Sequence, residues 1–124
     1  MKRFFLNIAI SLFFGVPLFA QTVPCKDLEK FIINNGYSKG SVDNWTLSSS
    51  WLKKVAAYSY DNKLFVVAEI KEDDFGFNTR TYIFCNIPTE NWDRFRYGIF
   101  DPGKSFGERF HKYIFDYKCN CRSN

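Results

Sequence analysis

Apolar residues recur at helical spacing in the first part of the mature chain. Leu28, Phe31, Ile32 and Asn35 share one face, which predicts a short helix over Cys25–Asn35, stopped by Asn34-Asn35-Gly36. From Tyr37 to Ser50 no period persists, and the abundance of Ser, Gly and Asn predicts loop. Val55–Tyr60 and Leu64–Ile70 are apolar and β-branched on either side of the tight turn Asp61-Asn62-Lys63, the pattern of a hairpin. Lys71–Thr79 is polar and acidic, contains Gly76 and is expected to be a loop. Arg80–Ile87 gives a third strand, ended by Pro88.

The period then returns to that of helices. Thr89 is placed to cap a helix that carries Glu90 and Asp93 at its positive end and sets Trp92, Phe95, Arg96 and Ile99 on one side. Gly98 and Asp101-Pro102-Gly103 stop it. Ser105-Phe106-Gly107-Glu108 has the form of a capping box, in which the Ser hydroxyl and the Glu carboxylate each take a backbone N–H at the helix start. Phe106, Phe110, Tyr113, Ile114 and Tyr117 follow as one apolar stripe. The order of elements predicts an α+β fold: a small antiparallel three-stranded sheet with two C-terminal helices on one face, plus a short N-terminal helix.

The first twenty residues read differently. Met1-Lys2-Arg3 is basic, Phe4–Phe14 is apolar except for Asn7 and Ser11, and Gly15, Pro17 and Phe19-Ala20-Gln21 follow. This is the order of a secretory signal peptide with cleavage expected after Ala20. The apolar run is shorter than the roughly 20 residues that a membrane-spanning helix needs, and no other segment is a candidate. The organisation expected is thus a signal peptide at 1–20, a helix-and-loop extension at 21–47 and an α+β domain with a cysteine-containing tail at 48–124. Export removes Lys2 and Arg3 and no acid, so the 17 basic residues fall to 15 against 13 acidic ones. The net charge that remains, +2, is mild. A mature chain of this length buries roughly two-thirds of its unfolded surface, and Phe, Tyr and Trp, 20% of the sequence, supply the material.

Cys25, Cys85, Cys119 and Cys121 all follow the export segment, so they are read as two disulfides in a secreted or periplasmic protein. Of three possible pairings, the one joining Cys119 to Cys121 closes a strained small ring and is disfavoured. The other two each tie Cys25 to the tail and remain open. Zinc is not expected, because paired Cys-x-x-Cys knuckles are missing.

One stretch has a familiar form. Tyr82-Ile83-Phe84-Cys85-Asn86-Ile87-Pro88 resembles the Tyr-x-aromatic-x-x-(Val/Ile)-Pro signature of the KTSC domain. Further on, Ser105-x-Gly107-x-x-Phe110-His111-Lys112-x-Ile114 resembles that family's Ser-x-Gly-x-x-Phe-Asn-basic-x-Ile helix. Ser48-Ser49-Ser50, Tyr60-Asp61, Leu64 and Val66 resemble its first hairpin, so the resemblance spans residues 48–118. KTSC domains occur at the C-terminus of some lysyl-tRNA synthetases and alone in small bacterial proteins, which implies an RNA or other nucleic-acid role. This chain departs from the family in its export segment, its longer acidic loop and His111 in place of Asn.

Residues 94–122 hold seven basic residues against three acidic ones, with aromatics between them. Charges that track phosphates and rings that stack on bases suit an anionic polymer. Arg109 and Lys112, three apart, are expected to share an exposed edge and to make anion contacts, with Arg96 and Lys104 beside them. Ser105 and the only histidine, His111, are polar family positions. No catalytic residue, cofactor or metal is assigned, because no carboxylate or nucleophile stands at convincing spacing from His111. The function expected is an exported non-enzymatic KTSC-like binding module for an anionic polymer or an envelope protein. Nucleic-acid binding is the alternative, and an enzyme built on Cys85 and His111 a distant one.

Overall fold

The hairpin at Asp61-Asn62 organises the molecule. In the computed structural model, which describes residues 23–123, β2 (Leu52–Tyr60) and β3 (Lys63–Lys71) pair antiparallel up to Tyr60 opposite Lys63. Asp61 (φ 53°) and Asn62 (φ 60°) both adopt the left-handed conformation. Two consecutive left-handed residues match the right-handed twist of the flanking strands, and Asp and Asn tolerate that region best after Gly. The expected signal peptide and its cleavage point lie outside the described residues.

The sheet has four strands rather than the three expected, in the order β1-β2-β3-β4, all neighbours antiparallel. The extra strand, β1 (Tyr37–Val42), comes from the stretch read as loop. Of its six residues only Val42 is buried, so side-chain period carried almost no signal. Backbone pairing with β2 holds it, with Tyr37 opposite Ser59 and Val42 opposite Val55, interrupted by an irregularity between Ser38 and Ser41. Gly40 lies in that irregularity with φ +112°, a conformation open to glycine alone. The rest of the presumed loop forms α2 (Asn44–Leu47), a single turn whose start is capped by Asp43 accepting from Thr46 N. β4 (Thr79–Phe84) completes the sheet at the opposite edge.

Both faces of the sheet are covered, where one was expected. On one face, Val55, Ala57, Val66, Ala68 and Phe84 meet α3 (Thr89–Tyr97) and α4 (Phe106–Tyr113). Trp92, Phe95, Phe110 and Ile114 are fully buried there, and Phe110 meets Phe84 and Phe95 edge-on at 5.3 and 5.8 Å. Each such side chain contributes on the order of 2–3 kcal/mol by burial, and an edge-on ring pair somewhat more. On the other face α1 (Cys25–Asn35) sets Ile32 against Val67 and Ile83. The alternation of β3 explains the division, because Val66 and Ala68 point one way and Phe65 and Val67 the other.

The helix ends agree with the sequence in part. The Ser105–Glu108 capping box forms, and Gly98 (φ +69°) ends α3. Thr89, expected to cap α3, is instead its first helical residue, behind Pro88, which offers no capping side chain. Ile99 lies beyond the helix end and is 76% exposed rather than on the packed side. After α4 a short 3-10 turn (Phe115–Tyr117) leads into the tail. There Cys25 bonds to Cys121 and Cys85 to Cys119, one of the two pairings left open.

Candidate functional site

The basic edge expected on α4 does not form as a unit. Arg109 is only 8% exposed, not on an exposed edge. Its Nε donates to the Phe95 carbonyl at 2.8 Å and a terminal nitrogen donates to the Lys104 carbonyl at 2.7 Å. The guanidinium lies over the Phe106 ring at 4.2 Å. A Cβ on Gly98 would stand 2.8 Å from its central carbon, so glycine there serves both the left-handed turn and this close approach. Arg109 thus holds the end of α3 and the following loop to α4. Its planar fork suits two carbonyls at once.

Lys112 keeps an exposed stem but is ion-paired with Asp101 at 2.6 Å, and the Tyr113 hydroxyl donates to the other oxygen of that carboxylate. Bonds from Lys112 and then Tyr113 hold the Asp101 carboxyl below the usual range, and Asp101 in turn raises the Lys112 ammonium. Arg96 pairs with Asp93 at 3.2 Å and lies over Tyr97 at 4.6 Å, next to β1. Lys104 is exposed on the α3–α4 loop. The four residues therefore divide into a buried clamp, a paired lysine, a half-buried Arg96 whose Nε has no partner among the described residues, and an exposed Lys104.

Ser105 and His111 also have local work. The Ser105 hydroxyl accepts from Glu108 N, and Glu108 accepts from Ser105 N at 2.9 Å, so helix-start donors are occupied and the Glu108 carboxyl is held low. His111 is exposed, with its ring 5.2 Å from that of Trp51 and 4.9 Å from that of Phe115. The serines at 48–50 do meet Ser105 and Gly107, around Trp51, in a small hollow. Ser49 shows what they do. Its hydroxyl accepts from Trp51 N and Leu52 N and its carbonyl from Lys71 Nζ at 2.7 Å, fixing the entry to β2. All four cysteines are in disulfides, which leaves neither a thiolate for a Cys85–His111 pair nor thiolates for zinc.

A second opening lies elsewhere, between α1, β4 and the tail. It is a groove of about 490 Å³ whose walls include Lys26 and Glu29 of α1, Thr79 to Ile83 of β4, and Lys118 beside the two disulfides. The tail pairs with the far end of β4: Cys85 N donates to the Tyr117 carbonyl at 2.7 Å and Cys119 N to the Ile83 carbonyl at 3.4 Å, placing Phe84 opposite Lys118. Ile83 and Cys85 therefore turn their backbone groups outward. Alternation turns those of Thr79 and Thr81 outward too. Among the described residues no backbone group pairs with them. The sheet edge is covered at one end and open at the other.

Glu29 stands in this groove. It is 7% exposed, and burial raises its carboxyl, an effect Lys26 partly offsets. No side-chain hydrogen bond reaches it among the described residues, yet its oxygens still meet the groove's solvent, since the one buried side-chain polar atom without a partner among those residues is Arg96 Nε. Sequence reasoning passed over it because Phe31 was counted into the inward face of α1. Phe31 is 43% exposed, and the face that packs runs through Cys25, Leu28, Glu29 and Ile32. The usable signal was a carboxylate one residue after Leu28 and three before Ile32. No helix among the described residues is long and apolar enough to cross a membrane. Comparison with protein-family models, curated proteins and solved structures found no match for this chain.

Proposed function

We propose that the protein is an exported, non-enzymatic binding module of KTSC type, whose contact surface is the groove between α1, β4 and the tail rather than the α4 edge. The observation that carries the reading is the groove itself: the outward backbone groups of Thr79 and Thr81, unpaired among the described residues, beside the mostly buried Glu29. An unpaired sheet edge is a template for another chain, and a carboxylate at 7% exposure is costly to desolvate further unless a partner supplies hydrogen bonds. Two disulfides in the groove wall support a role in an oxidising compartment. Envelope proteins are the partners available there.

Nucleic acid is the second reading, and a different surface favours it. Arg94 lies over Phe100 at 4.5 Å and Arg96 over Tyr97, with both rings largely exposed. Rings and cations in that arrangement suit stacked bases and phosphates.

One experiment addresses both readings. The oxidised mature protein is used to select from a displayed library of random peptides, and is titrated in parallel with short single-stranded RNA and DNA at two salt concentrations. Peptide binding that Glu29→Gln weakens supports the module. Binding of nucleic acid alone, falling steeply with salt and indifferent to Glu29→Gln, replaces it with the second reading. No binding in either arm sinks both.

A further inference from the structure

The groove also constrains the shape of what fills it. Resting on the binding-module reading, we infer that the groove takes an extended segment of another polypeptide, bearing acidic side chains, as a fifth strand on β4. The open edge runs over Thr79–Tyr82, roughly 13 Å at the rise of a strand. Thr79 and Thr81 each offer a backbone N–H and a C=O in the plane of the sheet, spaced as an incoming strand requires. The tail demonstrates that this edge accepts an antiparallel partner, since Lys118 already lies opposite Phe84. It also sets the limit, because an added strand must stop where the tail begins.

Charge selects the occupant. Lys26 and Lys118 supply the groove's positive charge against the single carboxylate of Glu29, while Arg80 at its rim is ion-paired with Glu72 at 2.9 Å. Charged side chains on an open edge discourage pairing with the same edge of a second copy, which would bring basic groups together. They attract a segment carrying acidic residues. Glu29 adds a separate requirement. Ile83 faces α1, and alternation places Thr79 and Thr81 on that same face. An occupant satisfies Glu29 by bringing a hydrogen-bond donor to that side, from its backbone or from a Ser, Thr or Asn side chain. An occupant without one strips the remaining water from the carboxyl without replacing its hydrogen bonds and binds less tightly.

The test uses the oxidised mature protein and the peptides selected on it. Amide hydrogen exchange is followed residue by residue with and without peptide. In the free protein, the β3–β4 register is expected to protect the Arg80 and Tyr82 N–H groups and to leave those of Thr79 and Thr81 open to exchange. Peptide is expected to slow Thr79 and Thr81 at least about tenfold and to leave Arg80 and Tyr82 little changed. That alternation belongs to an added strand and not to a ligand lying across the surface. Thr81→Pro removes one outward N–H without touching the ladder to β3, and is expected to weaken binding by about tenfold or more. Should that variant misfold, the exchange pattern of the parent protein still decides. Selected peptides enriched in Asp and Glu support the occupant named here, and enrichment in Lys and Arg overturns it. Peptides that bind while Thr79 and Thr81 stay unprotected overturn strand addition and leave the binding-module reading standing. Absence of any peptide or nucleic-acid binding ends both.

Discussion

Arg109 offers the sharpest contrast between a residue read from sequence and the same residue in place. As an exposed anion contact, its loss would weaken ligand binding and leave stability alone. In the structure it is buried, joins the Phe95 and Lys104 carbonyls at 2.8 and 2.7 Å, and covers Phe106. Arg109→Met keeps the stem and removes both bonds. Each is a charged-donor hydrogen bond of about 1.5–3 kcal/mol, and part of that returns if water reaches the freed carbonyls. The stacking over Phe106 adds about 0.5–1 kcal/mol. We expect a loss of about 3 kcal/mol, which for a domain of this size lowers Tm by roughly 12–20 °C. Arg109→Lys separates the readings, because it keeps the charge but lacks the fork that reaches two carbonyls. It should recover less than half of the lost stability. The assay is urea and thermal unfolding of the oxidised mature protein followed by circular dichroism. An Arg109→Met variant within about 1 kcal/mol of the parent, or full recovery in Arg109→Lys, would refute the assignment of a structural clamp.

Other perturbations follow from the same packing. Replacing Cys25 and Cys121 by Ser opens a loop of 96 residues and should cost about 4–5 kcal/mol, against about 3–4 for Cys85 and Cys119 with a separation of 34; equal or inverted losses in urea titrations would contradict the loop-entropy account. Asp101 is held below its ordinary value of 3.8, so its contribution to stability is full above that pH and disappears as pH falls through the folded value. Asp101→Asn should therefore destabilise the protein at neutral pH and flatten the acid limb of a stability–pH curve, and an unchanged limb would count against it. Gly107→Ala places a Cβ 2.6 Å from Trp51 Nε1, and an overpacked site of this kind costs about 1–3 kcal/mol, with a shift in Trp fluorescence that reports the displaced indole.

The elements with a strong side-chain period were legible from sequence, though not their ends: α1, the β2–β3 hairpin, β4 and the two C-terminal helices form in the expected order, while β4 stops at Phe84 rather than Ile87 and α4 at Tyr113 rather than Tyr117. β1 was not. A six-residue edge strand with one buried side chain is held by its backbone, and backbone pairing leaves no trace in the spacing of apolar residues. Covering of the second face was missed for a related reason. Val67 and Ile83 show their alternation only once α1 is known to fold back over them. At the site level, formal charge misled. Arg109 and Lys112 are three apart on one helix, yet Arg109 turns toward two carbonyls and Lys112 toward Asp101, partners 5 to 14 residues away in sequence. Glu29 was hidden by the opposite error, since a carboxylate in an apolar stripe looks like a surface residue until Phe31 is found outside.

The bond between Cys25 and Cys121 has a mechanical consequence. Pro24 bridges Arg122 directly beside it, so the two ends of the described chain meet at one point. Tension applied through the two ends passes from one sulfur to the other and never reaches the sheet, because every hydrogen bond of β1 to β4 lies inside the closed loop. Under oxidising conditions the domain behaves as a knot of fixed length in whatever it is threaded into. Pulled by its ends, it should give no unfolding event and no gain in contour length until the disulfide is reduced.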